Sequence, residues 1–550
     1  MRQDSQLAGD GRQRVRRTDG APGAVGMDAA TAAVVERLSE VGIALSGEAD
    51  ADRLLELILL AAKDIIGCDG GTIYMVDEEH LRFAIIRTDS LGIAMGGSGG
   101  VISFPPVPLY HEDGRPNEAS VVAYAVLHDV TVTIADAYHA EGFDFSGTRA
   151  FDEQTGYRSR SFLTVPMKNH EDEIIGVLQL LNALDADGTV CAFTEWQRRL
   201  AESLASQAAT ALTRNQLIDG MRDLFEALIR LIAEAIDEKS PYTGGHCRRV
   251  PELTLLLADA CAAEGTGPLA DFRMSDADRY ELKIASWLHD CGKITTPDWI
   301  MDKATKLSGL RDGIEAVATR YAVLQREAEI ACLQAVAAGA DASAAEAERD
   351  ARLRLLADEL VFLRRVNRGG EAMSAADQER VRACAARRWR DPEGVEQPLL
   401  DADEVENLCI VRGTLNSAER RVIEGHMDAT LRMLESLPYP RHLQRVPEYA
   451  GGHHEKMDGS GYPRGLRREE MSVPARVMGV ADIFEALTAR DRPYKPGMPV
   501  SRALAILGDM AAHGHIDPDI HAVFLRSGVW RTYADRFLDP AQRDYERVPV

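Results

Sequence analysis

Two short segments of the chain concentrate side chains that can bind metal ions and phosphate. Residues 452–463 contain the adjacent pair His453 and His454, followed by two acidic residues and a Gly-Tyr-Pro turn. Residues 289–293 contain a His-Asp pair and a lysine. Neutral imidazoles and carboxylates are metal ligands, and bound metals together with a lysine can neutralise a phosphate group. The two segments therefore predict a metal-dependent phosphohydrolase.

Further histidines and an aspartate in predicted helices point to the same chemistry. His426 lies among apolar residues of a predicted helix over 418–436, and Asp482 lies in an apolar helix over 475–487. Burying an unpaired imidazole or carboxylate is costly, so each of these side chains needs a partner. Jointly, five imidazoles and two carboxylates predict a dinuclear metal site. The seven residues are His246, His289, Asp290, His426, His453, His454 and Asp482.

The composition argues against several classes of function. The 550 residues leave room for two to four domains, and the net charge of -24 argues against a nucleic-acid polymer as substrate. The eight cysteines are scattered without paired spacing, which suits free thiols in a reducing compartment. No segment has the length and apolarity of a membrane span, and residues 1–27 lack the apolar core of a secretory signal. We expect a disordered tail over 1–27 and a cytoplasmic protein that does not enter a membrane.

Residues 28–215 mix helical and strand-like segments. Strand-like runs at 161–166 and 174–180 predict a hairpin, which is followed by a long helix. This order of elements and the segment 151–163 resemble a GAF domain. The resemblance implies a multidomain protein whose N-terminal part is α+β, with an antiparallel sheet and flanking helices. GAF domains are sensory or dimerising modules, so we expect either a small-molecule ligand or a ligand-free dimerisation module.

A helix is predicted over 196–238, either as one long helix or as two in series. Its later apolar residues recur at alternating spacings of four and three, which is typical of a coiled-coil seam. We interpret 216–240 as a connecting coiled-coil helix in a homodimer that passes a signal from the GAF domain. The alternative is an ordinary amphipathic helix packed on its own domain. The seam residues are Leu217, Met221, Leu224, Leu228, Leu231 and Ala235.

Residues 241–535 are predicted to be an all-α helical bundle, followed by a C-terminal tail over 536–550. Within the bundle, residues 309–413 contain two apolar stripes separated by a small, polar run at 338–344. This pattern predicts an inserted antiparallel helical hairpin. Because the insertion contains no histidine, we expect a structural or partner-binding arm rather than a part of the site.

The segments that could do chemistry, taken together with the Asp482 helix, resemble the HD-GYP subgroup of HD-domain phosphohydrolases. The resemblance covers about 241–308 and 414–525, on either side of the insertion. It implies a phosphodiesterase, regulated by the GAF domain, that hydrolyses the bacterial second messenger cyclic di-GMP to linear pGpG, GMP or both. The matching residues are His289, Asp290, Gly292, Lys293, His453, His454, Glu455, Asp458, Gly459, Gly461, Tyr462, Pro463, Val480, Ala481 and Asp482.

The resemblance also implies how the metal ligands are shared. Asp290 bridges two divalent ions and is one of two catalytic residues, with Lys293 as the other. One coordination sphere is completed by His246, His289 and Asp482. The other is completed by His426, His453 and His454. Because the set is rich in histidine and poor in carboxylate, it favours iron or manganese over calcium or magnesium.

For the substrate and for partners, the resemblance implies a second group of residues. Lys293 contacts a phosphate oxygen, and Arg492 and Lys495 match positions that contact the phosphates of the ligand. The turn formed by Gly461, Tyr462 and Pro463 shapes the substrate pocket and makes partner contacts, so a GGDEF-domain or other protein partner is expected.

The chain departs from the family pattern at the third metal site. Some members hold a third ion through a glutamate four residues before the first histidine, where this chain has Tyr242. We therefore predict two metal ions. Two alternatives to an active cyclic di-GMP phosphodiesterase stay open. One is an HD hydrolase for another cyclic dinucleotide, and the other is a non-catalytic receptor for cyclic di-GMP.

Overall fold

The computed structural model of the protein describes residues 29–239, 245–309, 311–370, 372–489 and 497–548. The predictions made for residues 1–27, Tyr242, Arg492 and Lys495 lie outside the described residues. The chain forms two compact units, which divide between Asp223 and Leu224. This division falls inside the segment predicted as a coiled-coil helix.

The first unit is built on an eight-stranded antiparallel sheet. Its strands are β1 (Cys68–Asp77), β2 (His80–Thr88), β3 (Ile93–Met95), β4 (Val107–Pro108), β5 (Val132–Ile134), β6 (Phe162–Lys168), β7 (Ile174–Leu184) and β8 (Val190–Cys191). They pair in the order β3-β2-β1-β7-β6-β5, with β4 beside β2 and β8 beside β7. The predicted hairpin is β6–β7, and the predicted α+β class with an antiparallel sheet is confirmed.

Helices cover the sheet and complete its core. They are α1 (Ala29–Gly47), α2 (Ala51–Ile66), α3 (Val121–His128), α4 (Ser146–Thr155) and α5 (Glu195–Lys239). The carboxylate of Asp50 caps the start of α2 by accepting a hydrogen bond from the Arg53 backbone N–H, and Gly67 ends it with φ 71°. The buried apolar face of α2, the inner face of the sheet and the first half of α5 form one hydrophobic core.

The second unit is a helical bundle, as predicted. Its helices before the insertion are α6 (His246–Ala262), α7 (Asp276–Leu288) and α8 (Asp298–Met301), with a 3-10 turn at Cys291–Thr295 between the last two. Those of the insertion and beyond are α9 (Ile314–Ala337), α10 (Ala342–Asn367), α11 (Ala375–Ala385), α12 (Ala402–Leu408), α13 (Ser417–Glu424), α14 (His426–Glu435), α15 (Val446–Gly451), α16 (Val473–Thr488), α17 (Val500–Ala512), α18 (Pro518–Ser527) and α19 (Val529–Phe537). The core contains fully buried residues of α6, α7, α16 and α18, together with residues from the last turns of α5.

The insertion contains more elements than the predicted hairpin. The helices α9 and α10 form the expected pair, but α11, α12 and a small sheet follow them. The sheet consists of β9 (Arg388–Arg390) and β10 (Glu396–Pro398). The four helices and β9 contribute to a separate core that includes Tyr321, Leu363 and Leu399. The insertion is therefore a small subdomain with its own buried side chains.

The end of the chain differs from the predicted tail over 536–550. Leu538 is buried, and two 3-10 turns follow at Pro540–Gln542 and Tyr545–Arg547. The side-chain amide of Gln542 donates hydrogen bonds to the backbone carbonyls of Thr488 and Met498, at 2.9 and 3.0 Å. The described part of this segment, up to residue 548, thus packs onto the bundle.

Candidate metal centre

Six elements of the second unit meet at one buried point. His246 is the first residue of α6, His426 is the first residue of α14, and His289 is the C-cap of α7. Asp290 follows at the start of the 3-10 turn, the pair His453 and His454 follows α15, and Asp482 lies in the middle of α16. The structure thus brings together all seven residues for which metal ligation was predicted.

Asp290 lies at the centre of this cluster with one carboxylate oxygen on each side. Its Oδ2 atom is 3.2 Å from His289 Nε2 and 3.4 Å from His246 Nε2. Its Oδ1 atom is 3.3 Å from His426 Nε2 and 3.8 Å from His453 Nε2. Two groups of imidazoles therefore share one carboxylate.

Asp482 and His454 complete the two groups. The Oδ1 atom of Asp482 is 3.3 Å from His246 Nε2 and 3.8 Å from His289 Nε2, so this carboxylate belongs to the first group. A ring nitrogen of His454 lies within 4.8 Å of the ligand atoms of Asp290, His426 and His453 and belongs to the second group. Within these groups every inward-facing atom is an oxygen or nitrogen that can donate a lone pair.

Backbone carbonyls fix the orientation of three of the imidazoles. The Nδ1 atoms of His289, His426 and His453 lie 2.7, 2.5 and 2.7 Å from carbonyl oxygens three residues earlier in the chain. A carbonyl oxygen only accepts hydrogen bonds, so Nδ1 carries the proton and Nε2 presents a lone pair to the cluster. In each of these cases the helix that carries the histidine, or the helix before it, sets the tautomer.

Several of the atoms facing the centre are buried without any hydrogen-bond partner. They are Asp290 Oδ1, His426 Nε2 and His453 Nε2. Buried polar atoms are almost always paired, because leaving one unpaired costs about 1–3 kcal/mol. A carboxylate oxygen and two imidazole lone pairs that face each other cannot satisfy one another. A bound cation satisfies all three, so the donor set fits a metal ion.

The ionisation of the second group also suits a cation. Burial lowers the pKa of His453 well below its ordinary value, and neighbouring imidazoles lower it further. Burial likewise lowers the pKa of His454 to about 4. Burial opposes ionisation of Asp290, but Lys293 and His289 outweigh it and hold its pKa well below the usual range. The second group therefore offers two neutral imidazoles and an ionised carboxylate near neutral pH, which are the forms that bind metals.

Lys293 lies at the edge of the cluster. Its Nζ atom is 2.5 Å from Asp290 Oδ2. Burial lowers the pKa of this lysine, but Asp290 and Asp482 outweigh that effect and raise it, so the side chain is a cation. Because the side chain is partly exposed, its charge is accessible to a ligand.

The Gly-Tyr-Pro turn covers the second group. The Tyr462 ring stacks on His454, with centroids 4.8 Å apart and an interplanar angle of 27°. The buried carboxylate of Glu455 accepts hydrogen bonds from the backbone N–H groups of Arg464 and Leu466, at 2.7 and 2.9 Å. A Cβ atom on Gly461 would lie 2.5 Å from Glu455 Cα, so only glycine allows the turn to fold back this closely. The acidic residue of the motif thus supports the loop that carries Tyr462 and Pro463.

Glu485 is a residue of the site that the sequence reasoning missed. It is fully buried on α16, and its Oε2 atom is 2.5 Å from His246 Nδ1. Its other oxygen accepts a hydrogen bond of 2.7 Å from Arg249 Nε. His246 is therefore the one imidazole of the described cluster whose Nδ1 faces a carboxylate. A signal was present in the sequence, because Glu485 lies one helical turn after Asp482 on the same apolar helix.

The insertion leaves the site intact because both of its ends are held to the bundle. Lys303 Nζ lies 2.8 Å from both carboxylate oxygens of Glu419, at the start of α13. Lys306 Nζ donates to the backbone carbonyls of Leu408 and Ile410, at 2.8 and 2.7 Å. The first contact joins the chain just before the insertion to the chain just after it, and the second joins it to the last residues of the insertion, so α14 can present His426 to Asp290.

The first unit contains a cavity of about 490 Å³ between the sheet and the segments that cover it. Aromatic and aliphatic side chains, such as Phe83, Phe151 and Leu181, provide most of its lining. Its polar side chains are hydroxyls and one amide, among them Thr72, Ser159 and Gln179. Of the described residues that line it, none has a charged side chain.

Comparison with known proteins identifies a domain in each unit. A family model for the GAF domain matches residues 50–212, and one for the HD domain matches residues 402–520. The chain is 37% identical over 156 residues to 3'3'-cGAMP-specific phosphodiesterase 3 of Vibrio cholerae, covering 28% of this chain and 31% of the relative. It is 34% identical over 115 residues to a cyclic di-GMP phosphodiesterase of Pseudomonas aeruginosa, covering 21% of this chain and 27% of that relative.

A cyclic di-GMP phosphodiesterase of Thermotoga maritima is 32% identical over 132 residues, which are 24% of this chain and 35% of that relative. The chain thus spans about a third or less of the length of these relatives. Among the described helices, none is both long and apolar enough to cross a bilayer. The chain carries an N-terminal GAF domain and a C-terminal HD domain.

Proposed function

We propose that this protein is a metal-dependent phosphodiesterase that hydrolyses cyclic di-GMP to linear pGpG, GMP or both. The observation that carries the proposal is the shared carboxylate, since each oxygen of Asp290 faces its own group of buried, lone-pair-donating imidazoles. This donor set suits two divalent ions, and its histidine content favours iron or manganese. When bound, such a pair supplies an activated water and neutralises charge on a phosphoryl group.

Several residues of the chain have roles of their own in the proposed reaction. Asp290 holds the two ligand groups at a fixed separation, and its own position is set by the end of α7. Lys293 presents a positive charge beside Asp290, where it stabilises charge that develops on a phosphoryl oxygen. Tyr462 shields the second group and forms one wall of the substrate pocket with Gly461 and Pro463. Arg492 and Lys495 are proposed to bind the phosphates of the substrate.

A second candidate substrate is 3'3'-cGAMP. The specific observation that favours it is that the Vibrio cholerae relatives include two phosphodiesterases named for this dinucleotide, at 37% and 35% identity. Both substrates present the same cyclic phosphodiester backbone to the site, so the metal cluster does not discriminate between them. Discrimination rests on contacts to the bases.

The experiment is a comparison of the two dinucleotides with the full chain. Protein reconstituted anaerobically with Mn²⁺ or Fe²⁺ is incubated with each substrate, and the linear and mononucleotide products are separated and counted. We expect turnover of cyclic di-GMP, with kcat/KM at least as high as for 3'3'-cGAMP, and none after metal removal. Faster cleavage of 3'3'-cGAMP would reassign the substrate. Tight binding of cyclic di-GMP without turnover would make the protein a receptor.

Glu485→Gln is expected to weaken Mn²⁺ binding to the first ligand group about 10–100-fold. A neutral amide holds the His246 ring less firmly than the carboxylate 2.5 Å away, and it adds less to the basicity of the imidazole. Mn²⁺ titration followed by electron paramagnetic resonance measures the effect. Glu469→Gln, a substitution of an exposed glutamate, is the control. Unchanged Mn²⁺ affinity in Glu485→Gln would show that the contact has no influence on the metal.

For the GAF domain we propose a neutral, largely apolar ligand. A cavity of about 490 Å³ is in the size range of small-molecule sites, and its uncharged lining does not suit the phosphate of a cyclic nucleotide. The neutral dye Nile red should bind with a fluorescence increase that Thr148→Trp, at the cavity wall, reduces. Displacement of the dye by cyclic GMP, or equal binding by the variant, would argue against this assignment.

We further propose that the protein is a homodimer through α5. This helix is continuous over 45 residues, and most of the predicted seam is exposed, with Leu217 at 55% and Leu231 at 61% of full accessibility. Pairing with a second copy would bury this stripe. Leu228→Asp should shift the protein from dimer to monomer in sedimentation equilibrium at micromolar concentration, whereas Glu234→Ala should not. A monomeric wild-type protein would exclude the proposal.

A further inference from the structure

The last turns of α5 are part of the HD domain. Ile229, Ala233 and Ile236 are buried in the same hydrophobic core as Leu253 and Leu257 of α6. The opposite face of these turns is exposed, including Leu228 and Leu231. The end of α5 is therefore held by packing, and its polar residues have fixed positions relative to the metal cluster.

Asp237 on this part of α5 holds the start of the helix that carries His246. One of its carboxylate oxygens accepts a hydrogen bond of 3.0 Å from the Gly245 backbone N–H. The other oxygen accepts a hydrogen bond of 3.5 Å from the Cys247 backbone N–H. The first N–H groups of a helix lack partners within the helix, and a carboxylate there is stabilising. Gly245 has no side chain to cap α6. Asp237 supplies the cap from another helix and thereby fixes the position of His246.

Lys239 at the end of α5 holds the other side of the cluster. Its Nζ atom donates hydrogen bonds to the backbone carbonyls of Ile294 and Thr296, at 2.5 and 2.7 Å. A third carbonyl, that of Lys293, lies at 3.4 Å. The carbonyls of Lys293 and Ile294 belong to the 3-10 turn that begins after Asp290, and Thr296 directly follows this turn. One helix end thus binds both the segment of His246 and the turn that carries Lys293.

We infer that Asp237 and Lys239 are positioning residues for the metal centre, and that α5 acts on the site through them. A displacement of the end of α5 would move His246 and the Lys293 turn together, since both are bonded to it. The effect on turnover rests on the proposed function, whereas the effect on metal binding does not. Through Asp237, α5 is bonded directly to the segment of the metal ligand His246.

The test compares Asp237→Ala, Asp237→Asn and Lys239→Met with Glu238→Ala, an exposed neighbour on the same helix, in the 550-residue chain. Mn²⁺ affinity is measured by electron paramagnetic resonance, and KM and kcat are measured with cyclic di-GMP. Asp237→Ala should weaken Mn²⁺ binding about 10-fold or more, the range found when partners of metal ligands are removed. Asp237→Asn, which keeps an acceptor oxygen, should lie between Asp237→Ala and wild type.

Lys239→Met should leave Mn²⁺ affinity within about twofold of wild type and raise KM about 10-fold, because it loosens the turn of Lys293 rather than a ligand. Circular dichroism and melting curves identify any variant that fails to fold, and Asp237→Asn then carries the test. Wild-type Mn²⁺ affinity in a folded Asp237→Ala protein would overturn the inference. Wild-type protein that binds Mn²⁺ but cleaves no cyclic dinucleotide would overturn the proposed function alone.

Discussion

Asp290→Asn is expected to lower kcat for cyclic di-GMP by at least about 10³-fold. Removing a residue that only supports a metal ligand already costs about 10–100-fold, and Asp290 is placed to bind both ions itself. Asparagine has the same size but is neutral, and its amide nitrogen is a donor that cannot ligate a metal. This amide nitrogen would also face one of the imidazole Nε2 atoms, which lie 3.2–3.4 Å from the carboxylate oxygens of Asp290.

The measurement combines product formation with metal analysis of the purified variant. We expect the bound Mn²⁺ to fall from two ions per chain to one or none, together with the loss of turnover. His513→Ala is the matched control, since this histidine is exposed and lies outside the cluster. Two tightly bound ions in Asp290→Asn would mean that this residue is not the bridge.

Gly292→Ala is expected to destabilise the HD domain by roughly 3 kcal/mol and to abolish tight metal binding. A Cβ atom at this position would lie 2.0 Å from the carbonyl oxygen of His426 and 2.4 Å from the backbone nitrogen of Thr430. The 3-10 turn therefore packs directly against the backbone of α14, and the Gly292 N–H donates a 2.9 Å hydrogen bond to the Thr430 hydroxyl. An added methyl group must push the two elements apart.

This displacement would separate Asp290 from His426, so stability and metal affinity should fall together. Urea unfolding with and without Mn²⁺ measures both effects. Gly265→Ala is the control, because a Cβ atom there meets no heavy atom within 4 Å. This substitution should change the free energy of unfolding by no more than about 0.5 kcal/mol. Wild-type stability in Gly292→Ala would contradict the close packing of the turn on α14.

Much of the fold could be predicted from local patterns in the sequence. Two strand-like runs and the four-three spacing of apolar residues identified the β6–β7 hairpin and the long helix α5, and the GAF and HD resemblances are confirmed by the family models. The insertion was recognised by its apolar stripes, but β9 and β10 were missed. These strands are three residues each and contain Arg388, Arg390, Glu396 and Pro398, so they have no apolar alternation to detect.

The residues of the candidate site could also be predicted only in part from the sequence. Histidines and aspartates in apolar surroundings identified the ligand candidates, because burial of such groups demands a partner. Their assignment to two spheres came from the family resemblance, and the geometry around Asp290 supports it as a proposal. Glu485 and Lys239 were missed because their roles depend on contacts with segments far away in the chain, and Asp237 was missed because its role depends on the placement of α6 beside the end of α5. On the sequence alone Asp237 and Lys239 are ordinary charged residues of a helix.

The most direct test of the central claim is the location of the metals. Crystals of the 550-residue chain grown with Mn²⁺ should give two anomalous-scattering peaks in the HD domain. One should lie among His246, His289 and Asp482, and the other among His426, His453 and His454, with one oxygen of Asp290 directed at each. A single peak, or peaks away from Asp290, would contradict the two-metal account.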